Sequence, residues 1–382
     1  MKILFIIVGD FSPVSGVGRT CYSLAHRLAR DREVTVVASG NYRGEEERIK
    51  FLQAPFWHPG KAWEFFLPLP VIWNFLLAGV LCRHYRKRFD IIHVFNGLVW
   101  SKNALITLQM CQKGAFRAAW GKSFREQLGK KTPKHLSILF LEWLIYRWQL
   151  FRGLVVCSRA ERDEIIRYYQ TDSEKIHRLY NGIDLISLSP GEVNLLRTAR
   201  RNELGYRESD RVCLFVGYDL KRKGFEAVLR ALARLPREYK LLVVGGGDKK
   251  GDFRRTIVGE GLESRVRFAG QQHNPSPFYA AADLFILPTL HEPFGTAILE
   301  AMNWGLPVIT SRLAGAAELI TPGREGCLLD DPRDGRAIAA FVRQIGEEGK
   351  AAEMGAAGRE TARTSTWERR AGELLDLYRR LV

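Results

Sequence analysis

The sequence predicts an α/β fold made of two doubly wound parallel sheets in series. Three observations point there. The chain has 382 residues, more than one ordinary hydrophobic core holds, so two domains are expected. Short apolar runs suited to buried strands alternate with helical patterns along most of it. The alternation lapses once, near residues 185–210, and then resumes. With 46% hydrophobic and 26% charged residues, the composition is that of a soluble globular protein.

Each element follows from its residues. Residues 2–8 read as a buried strand, 15–18 as a turn, 19–30 as a helix and 33–39 as a second strand, a βαβ unit of a parallel sheet. Strands are expected at 90–94, 104–108 and 154–158. An apolar helix is expected over 135–151, and another over 159–170. The turn at 181–184 ("NGID") closes a first domain, 1–184. Residues 185–210, with Pro190, Gly191 and a charged helix, read as a connection. A second domain, 211–365, carries strands at 212–217, 240–244, 266–269, 284–287, 307–310 and 326–329, with helices over 225–235 and 297–303. A last helix, 366–382, is assigned to packing back on the first domain.

Charge is unevenly spread. The whole chain carries +16, and residues 1–184 hold 28 Lys and Arg against 16 Asp and Glu, a net of +12. A basic first half implies an anionic partner. No nucleic-acid reader motif is present, so an anionic membrane surface or a phosphorylated substrate fits better. Six scattered cysteines form no Cys-x-x-Cys pair and match a reducing compartment. A strand starts at once, with no signal peptide ahead of it, so a cytoplasmic location is expected, peripheral on the inner face of the membrane. The apolar run 65–82 is about long enough to span a bilayer. Pro68, Pro70 and Asn74 interrupt it, which favours a buried helix from near Pro70.

In open parallel sheets, ligands bind beyond the carboxyl ends of the strands. Three strand-to-helix loops therefore carry weight. In 216–224 ("VGYDLKRKG") a strand runs into Lys221, Arg222 and Lys223 just before a helix, a setting suited to a diphosphate. A solvated basic turn is the plainer reading. In 288–302 ("PTLHEPFGTAILEAM") Glu292 precedes a helix entered at Phe294 and Gly295, with Glu300 about 9 Å further along. Backbone amides from Gly295 through Ala297 could take a diphosphate, Glu300 a ribose diol, and Glu292 sugar hydroxyls. The glycine there lets phosphate approach the backbone. In 12–18 ("SPVSGVG") Gly16 and Gly18 permit close ligand approach, but Cys21 stands where a dinucleotide fingerprint needs its third glycine. A tight turn explains that loop equally well.

The second-half segments "GYDLKRKG", "VVGGGD", "YAAADLFILPTLHEPFGTAILEAMNWGLPVITS" and "GAAELITPGREGCLL" resemble glycosyltransferase family 4, whose members have the GT-B fold. The resemblance spans the whole chain and is strongest over about 212–330. The Arg222-Lys223 pair is similar to that of the lipopolysaccharide core glucosyltransferase I group. It implies two Rossmann-like domains facing across a cleft, and a retaining hexosyltransferase (EC 2.4 class) using a nucleotide diphosphate sugar such as UDP-glucose. The implied acceptor is a lipid-linked or phosphorylated glycan, such as the lipopolysaccharide core.

It also implies residue roles. Arg222 and Lys223 would bind the diphosphate together with Phe294, Gly295 and Thr296. Glu300 would bind the ribose, and Glu292 would contact the donor sugar as a catalytic residue. Gly16 and Gly18 would let the first loop reach donor and acceptor. The family often places a His after the strand 104–108; here Gln109 stands there, able to hydrogen-bond a sugar but not to take up a proton near neutral pH. His93 matches another recurrent family His and fits a satisfied core residue equally.

No Asp-x-Asp pair is present to hold a divalent ion, so no cofactor and no metal are expected. Fixed cations and a helix N-terminus can stabilise a leaving diphosphate without one. The basic stretch Lys113, Arg117, Lys122, Arg125, Lys130, Lys131 and Lys134, interleaved with Trp120 and Phe124, reads either as a contact for anionic lipid or as a solvated loop. The alternatives are a nucleotide-sugar epimerase or hydrolase of this fold, or a transferase using a GDP- or ADP-sugar and a soluble acceptor.

Overall fold

The computed structural model describes residues 1–13, 16–39, 48–57, 68–108, 110–120, 133–246, 251, 253–347 and 349–382. The chain divides into two compact units, one made of 1–182 with 367–382 and the other of 183–366.

The first unit is built on seven parallel strands: β1 (Lys2–Ile7), β2 (Glu33–Ala38), β3 (Ile49–Gln53), β4 (Ile91–Phe95), β5 (Ser101–Thr107), β6 (Phe151–Val156) and β7 (Ile176–Arg178). Their order is β3-β2-β1-β4-β5-β6-β7. Alternate residues of β1 enter different cores. Ile3, Phe5 and Ile7 face a cluster that holds Cys21 and Leu24 of the helix Gly16–Leu28 and Leu374 and Tyr378 of the helix Trp367–Leu381. Leu4 and Ile6 face a second cluster with Ala78, Cys82, Ile145 and Ile165 from the helices Leu69–Tyr85, Pro133–Arg147 and Arg159–Tyr169. Helices therefore cover both faces, and strands buried on both sides read as continuous apolar runs.

The second unit holds β8 (Arg211–Gly217), β9 (Tyr239–Gly245), β10 (Val266–Gly270), β11 (Leu284–Leu287), β12 (Val308–Ser311) and β13 (Gly326–Leu329), all parallel. Their order, β10-β9-β8-β11-β12-β13, reverses direction between β8 and β11. That is the dinucleotide-fold order, whose ligand crevice opens where the order reverses.

Three regions differ from the expectations. Residues 185–210 are part of the second unit. Within them, the helix Pro190–Glu203 starts from a Ser189–Glu192 capping box. Its Arg197 and Arg201 both reach Asp283, at 2.5 and 3.3 Å, and Asp283 also accepts the Val212 amide at 2.6 Å. A charged face that looked like a solvated connector is thus a clamp on the start of β8 and β11. Strands β3 and β7, which the reading omitted, are short edge strands of five and three residues. The helix Leu69–Tyr85 is not buried all round: Pro70, Asn74, Ala78 and Cys82 are buried, Phe75, Leu77, Leu81 and Tyr85 are half-buried against the core, and the remaining apolar side chains lie outside. Among the described residues no helix is long and apolar enough to cross a membrane. All six cysteines are buried and none is in a disulfide.

Candidate active site

The loops that follow β8 and β11 are tied together at the reversal point of the second sheet. The Leu290 amide donates to the Arg222 carbonyl at 2.8 Å, and the Arg222 Nη1 donates to the His291 carbonyl at 2.6 Å. Thr289 is fully buried, and its carbonyl accepts the Ser311 hydroxyl at 2.5 Å. Gly224 makes this closeness possible. Its φ is +78°, and a β-carbon there would collide with the Pro288 carbonyl, so glycine meets both the conformational and the steric demand.

Within this frame three charged side chains meet. Lys223 Nζ lies 2.9 Å and Arg222 Nη1 3.3 Å from the same oxygen, Glu292 Oε2. All three side chains are mostly buried. Arg222 is also steered by Asp219, which takes its Nε at 3.2 Å and its backbone amide at 3.1 Å. Burial pushes the Glu292 carboxyl up, but Lys223 and then Arg222 more than offset this and hold it below the usual carboxylate range. The Lys223 stem crosses the space that a side chain on Gly217 would fill.

Beyond Glu292 the chain enters the helix Thr296–Asn303 through Gly295, at φ +91°. No acidic residue stands in the first turn, so the positive end of the helix dipole is not neutralised there. Phe294 is buried, and its carbonyl accepts the Ala316 amide at 2.7 Å. Because the helix starts at Thr296, Glu300 lies about 6 Å along it rather than the 9 Å expected. The buried Tyr279 hydroxyl donates to Glu300 Oε2 at 2.8 Å. The arrangement offers two cations, a helix N-terminus and two carboxylates at one switch point. Chemically it can bind a pyrophosphate between hydroxyl-bearing groups.

The structure brings Arg222, Lys223 and Glu292 into contact and puts Gly295, Thr296 and Glu300 on the helix that follows. Tyr279, Thr289 and Asp219 escaped the sequence reading. Asp219 was visible in "GYDLKRKG" as an acid three residues before Arg222, whereas nothing in the sequence links Tyr279 to Glu300. A cavity of about 440 Å³, lined by Leu188, Trp304, Arg359 and Arg363 among others, lies at the far end of this helix. It is about 12 Å from the helix start and apart from the charged cluster.

In the first unit, Gly16 and Gly18 begin the helix Gly16–Leu28, and Gly18 is buried. His93 on β4 is wholly buried, with Nδ1 2.6 Å from the Tyr378 hydroxyl and Nε2 2.6 Å from the Thr107 hydroxyl. Burial drives its pKa down to about 3, so the imidazole is neutral. This geometry is that of a satisfied core residue, the alternative the sequence left open, and not of a sugar contact. Gln109 lies outside the described residues, as do Lys122, Phe124, Arg125, Lys130 and Lys131. Among the described residues no group of His, Cys, Asp and Glu is arranged to hold a metal ion.

Comparison with known proteins agrees with this geometry. Residues 14–186 match the model of Glycosyltransferase Family 4, and residues 210–348 match that of Glycosyl transferases group 1. A D-inositol 3-phosphate glycosyltransferase of Xylanimonas cellulosilytica is 28% identical over 236 residues, 59% of this chain and 56% of that one. The chain thus spans little more than half the length of that relative. Among solved structures, WaaG, a glycosyltransferase involved in lipopolysaccharide biosynthesis, superposes with a TM-score of 0.78 at 22% identity, over 98% of this chain and 99% of that one. Alr3699/HepE of Anabaena, in complex with UDP-glucose, does so with 0.72 at 22% identity, over 99% and 100%. The chain thus has the GT-B fold of these solved structures, its first part similar to Glycosyltransferase Family 4 and its second to Glycosyl transferases group 1.

Proposed function

We propose that the protein is a retaining hexosyltransferase that moves glucose from UDP-glucose to a lipid-linked glycan of the lipopolysaccharide-core type, working at the inner face of the cytoplasmic membrane. The observation that carries this is the meeting of Lys223, Arg222 and Glu292 at the β8/β11 reversal, beside a helix N-terminus. The donor is supported by the UDP-glucose bound to HepE, and the acceptor class by the role of WaaG. The net charge of +12 in the first half suits an anionic acceptor.

In this mechanism Arg222 and Lys223 take up the negative charge that grows on the diphosphate as its bond to the anomeric carbon breaks. Amides of the helix entry at Gly295 and Thr296 share that load. Glu300, oriented by Tyr279, accepts hydrogen bonds from the ribose hydroxyls. Glu292, kept ionised by its two cations, accepts from the sugar. The acceptor hydroxyl bonds to the anomeric carbon, and its proton passes to the departing phosphate oxygen. Gln109 is assigned a hydrogen bond to the donor sugar. Neither a cofactor nor a metal is needed for charge balance, and turnover is expected to survive a chelator.

The test is a panel of UDP-, GDP- and ADP-sugars scored by thermal stabilisation. A specific donor at 100 times its Kd adds about 2.7 kcal/mol, and Glu300→Ala should abolish the gain. A donor shift that persists in that variant would refute the ribose assignment. Donor cleavage at full rate without any acceptor would turn the reading toward a hydrolase.

A further inference from the structure

One helix of the first unit leaves most of its largest apolar residues outside, and a neighbouring helix exposes a second apolar stripe. On the helix Leu69–Tyr85, at about 100° per residue, Leu69, Ile72, Trp73, Leu76 and Val80 form one stripe. That stripe faces solvent: Leu76 is 57% and Val80 63% exposed. On the opposite face, which packs on the sheet, the buried residues are Pro70, Asn74, Ala78 and Cys82, flanked by half-buried Phe75, Leu77, Leu81 and Tyr85. Asn74 is fixed inward by two hydrogen bonds to the Trp57 backbone, at 2.7 and 3.1 Å. An ordinary surface helix does the reverse, burying its large apolar residues and exposing small and polar ones.

The helix Pro133–Arg147 buries Leu141, Ile145 and Tyr146 in the ordinary way, yet it also carries a large apolar stripe on its outer side. Leu136, Phe140 and Trp143 share an exposed stripe, with the Phe140 and Trp143 rings stacked at 6.2 Å. The two helices pack against each other, so their outward stripes adjoin. Contiguous apolar surface of this kind marks an interaction site.

Charge and position select the partner. Both stripes end in cations: Arg83 and Lys87 continue the first, and Arg147 closes the second, all exposed. Each helix feeds within a few residues into the start of a strand, β4 or β6. The cationic ends therefore share the amino-terminal edge of the sheet. Two further tryptophans stand at that edge: Trp100, just before β5, and Trp148, just before β6, each 62% exposed. Trp100 lies against the first helix, its carbonyl 3.8 Å from where a β-carbon on Gly79 would sit. Apolar ridges, interfacial tryptophans and a cationic rim are complementary to an anionic bilayer surface. Protein–protein cores, by contrast, are depleted in lysine.

We infer that this two-helix face is a membrane-docking surface, with the Leu76–Val80 and Phe140–Trp143 ridges entering the headgroup–acyl boundary of an anionic bilayer and Arg83, Lys87 and Arg147 meeting the lipid phosphates. The inference rests on the lipid-linked acceptor proposed above and says which part of the molecule would meet that lipid.

The test uses the full chain and extruded vesicles of phosphatidylcholine, with or without 30% phosphatidylglycerol, read by co-sedimentation and tryptophan emission. Binding to the anionic vesicles with a blue-shifted emission, weakened by salt, is expected. The double variant Leu76→Ser, Val80→Ser should lower the partition coefficient on the order of tenfold. Arg83→Gln and Lys87→Gln should each lower it about fivefold. Because these side chains are exposed, thermal melting and the UDP-glucose shift should match the parent chain. Absence of binding to anionic vesicles would overturn the inference, as would a lipid-free dimer that Leu76→Ser, Val80→Ser dissociates. Vesicle binding without any nucleotide-sugar shift would leave docking standing and sink the donor reading instead.

Discussion

At the reversal point of the second sheet, between β8 and β11, two cations and a carboxylate meet in a nearly buried cluster. In the first sheet the buried polar side chain nearest the reversal between β1 and β4 lies inside a strand: it is His93, neutral and tied to Tyr378 and Thr107. The strand order is the same up to the extra edge strand β7. The backbone plan therefore supplies a crevice twice, and side chains decide what each crevice can do. The second gathers Arg222, Lys223 and Glu292 just beyond the ends of its strands. The first spends its polar group on joining the last helix to the sheet.

The sharpest way to break this contrast is Glu292→Ala. It leaves Lys223 and Arg222 without their shared anion and, in the proposed mechanism, the sugar without its acceptor group. We expect kcat/KM for the donor to fall about 10²- to 10³-fold, measured by steady-state transfer, while His93→Gln leaves donor affinity unchanged. Equal losses from both variants would erase the distinction between the two sites.

Next in size is Gly224→Ala. The positive φ and the collision with the Pro288 carbonyl should cost the second unit at least about 2 kcal/mol, read by urea unfolding. Asp283→Ala follows, at about 2–3 kcal/mol, because it removes the counter-charge of buried Arg201, which keeps only its bonds to backbone carbonyls, and takes the acceptor from the Val212 amide. A native-like midpoint for it would mean the Arg197–Arg201 clamp is ornamental.

The smallest effect separates the units by pH. Burial raises Glu142 to about 7 and Glu161 to about 8, both in the first unit. Each binds its proton more tightly folded than unfolded, so the stability it lends is complete below its ordinary pKa and is lost as pH rises to 7–8. His93 has the opposite sign, losing stability as pH falls from 6.5 toward 3. Of these three groups only the glutamates act above pH 6.5. The first unit should therefore melt lower at pH 8.5 than at 6.5, and Glu161→Gln should flatten that slope. Gln can still accept from the Cys157 amide, as Glu161 does at 2.9 Å. An unaltered slope in the variant would remove Glu161 from the account.

Much of the fold was legible because buried parallel strands are apolar along their whole length, as in β1 and β8. The edge strands β3 and β7 were not, since half-exposed strands carry residues such as Lys50 and His177 that blur the pattern. The charged loop was legible for a local reason: Arg222, Lys223 and Glu292 sit next to a strand end and a helix start. What could not be read is what distant residues do for them. The Tyr279–Glu300 bond and the hold of Arg201 on Asp283 join parts of the chain 21 and 82 residues apart, and no local pattern encodes such pairings. The helix Leu69–Tyr85 misled for another reason. Hydrophobicity says that a segment avoids water, but not whether protein or another apolar medium replaces the water.

The last helix has a consequence for how the chain is made. Trp367, Leu374 and Tyr378 complete the core around Phe5 and Leu24, so the first unit to leave the ribosome is the second able to finish. Residues 183–366 can close on themselves as soon as they emerge, while the earlier-made sheet waits, one face open, for Tyr378 to reach His93. Removing that helix would injure the part of the molecule farthest from it in sequence.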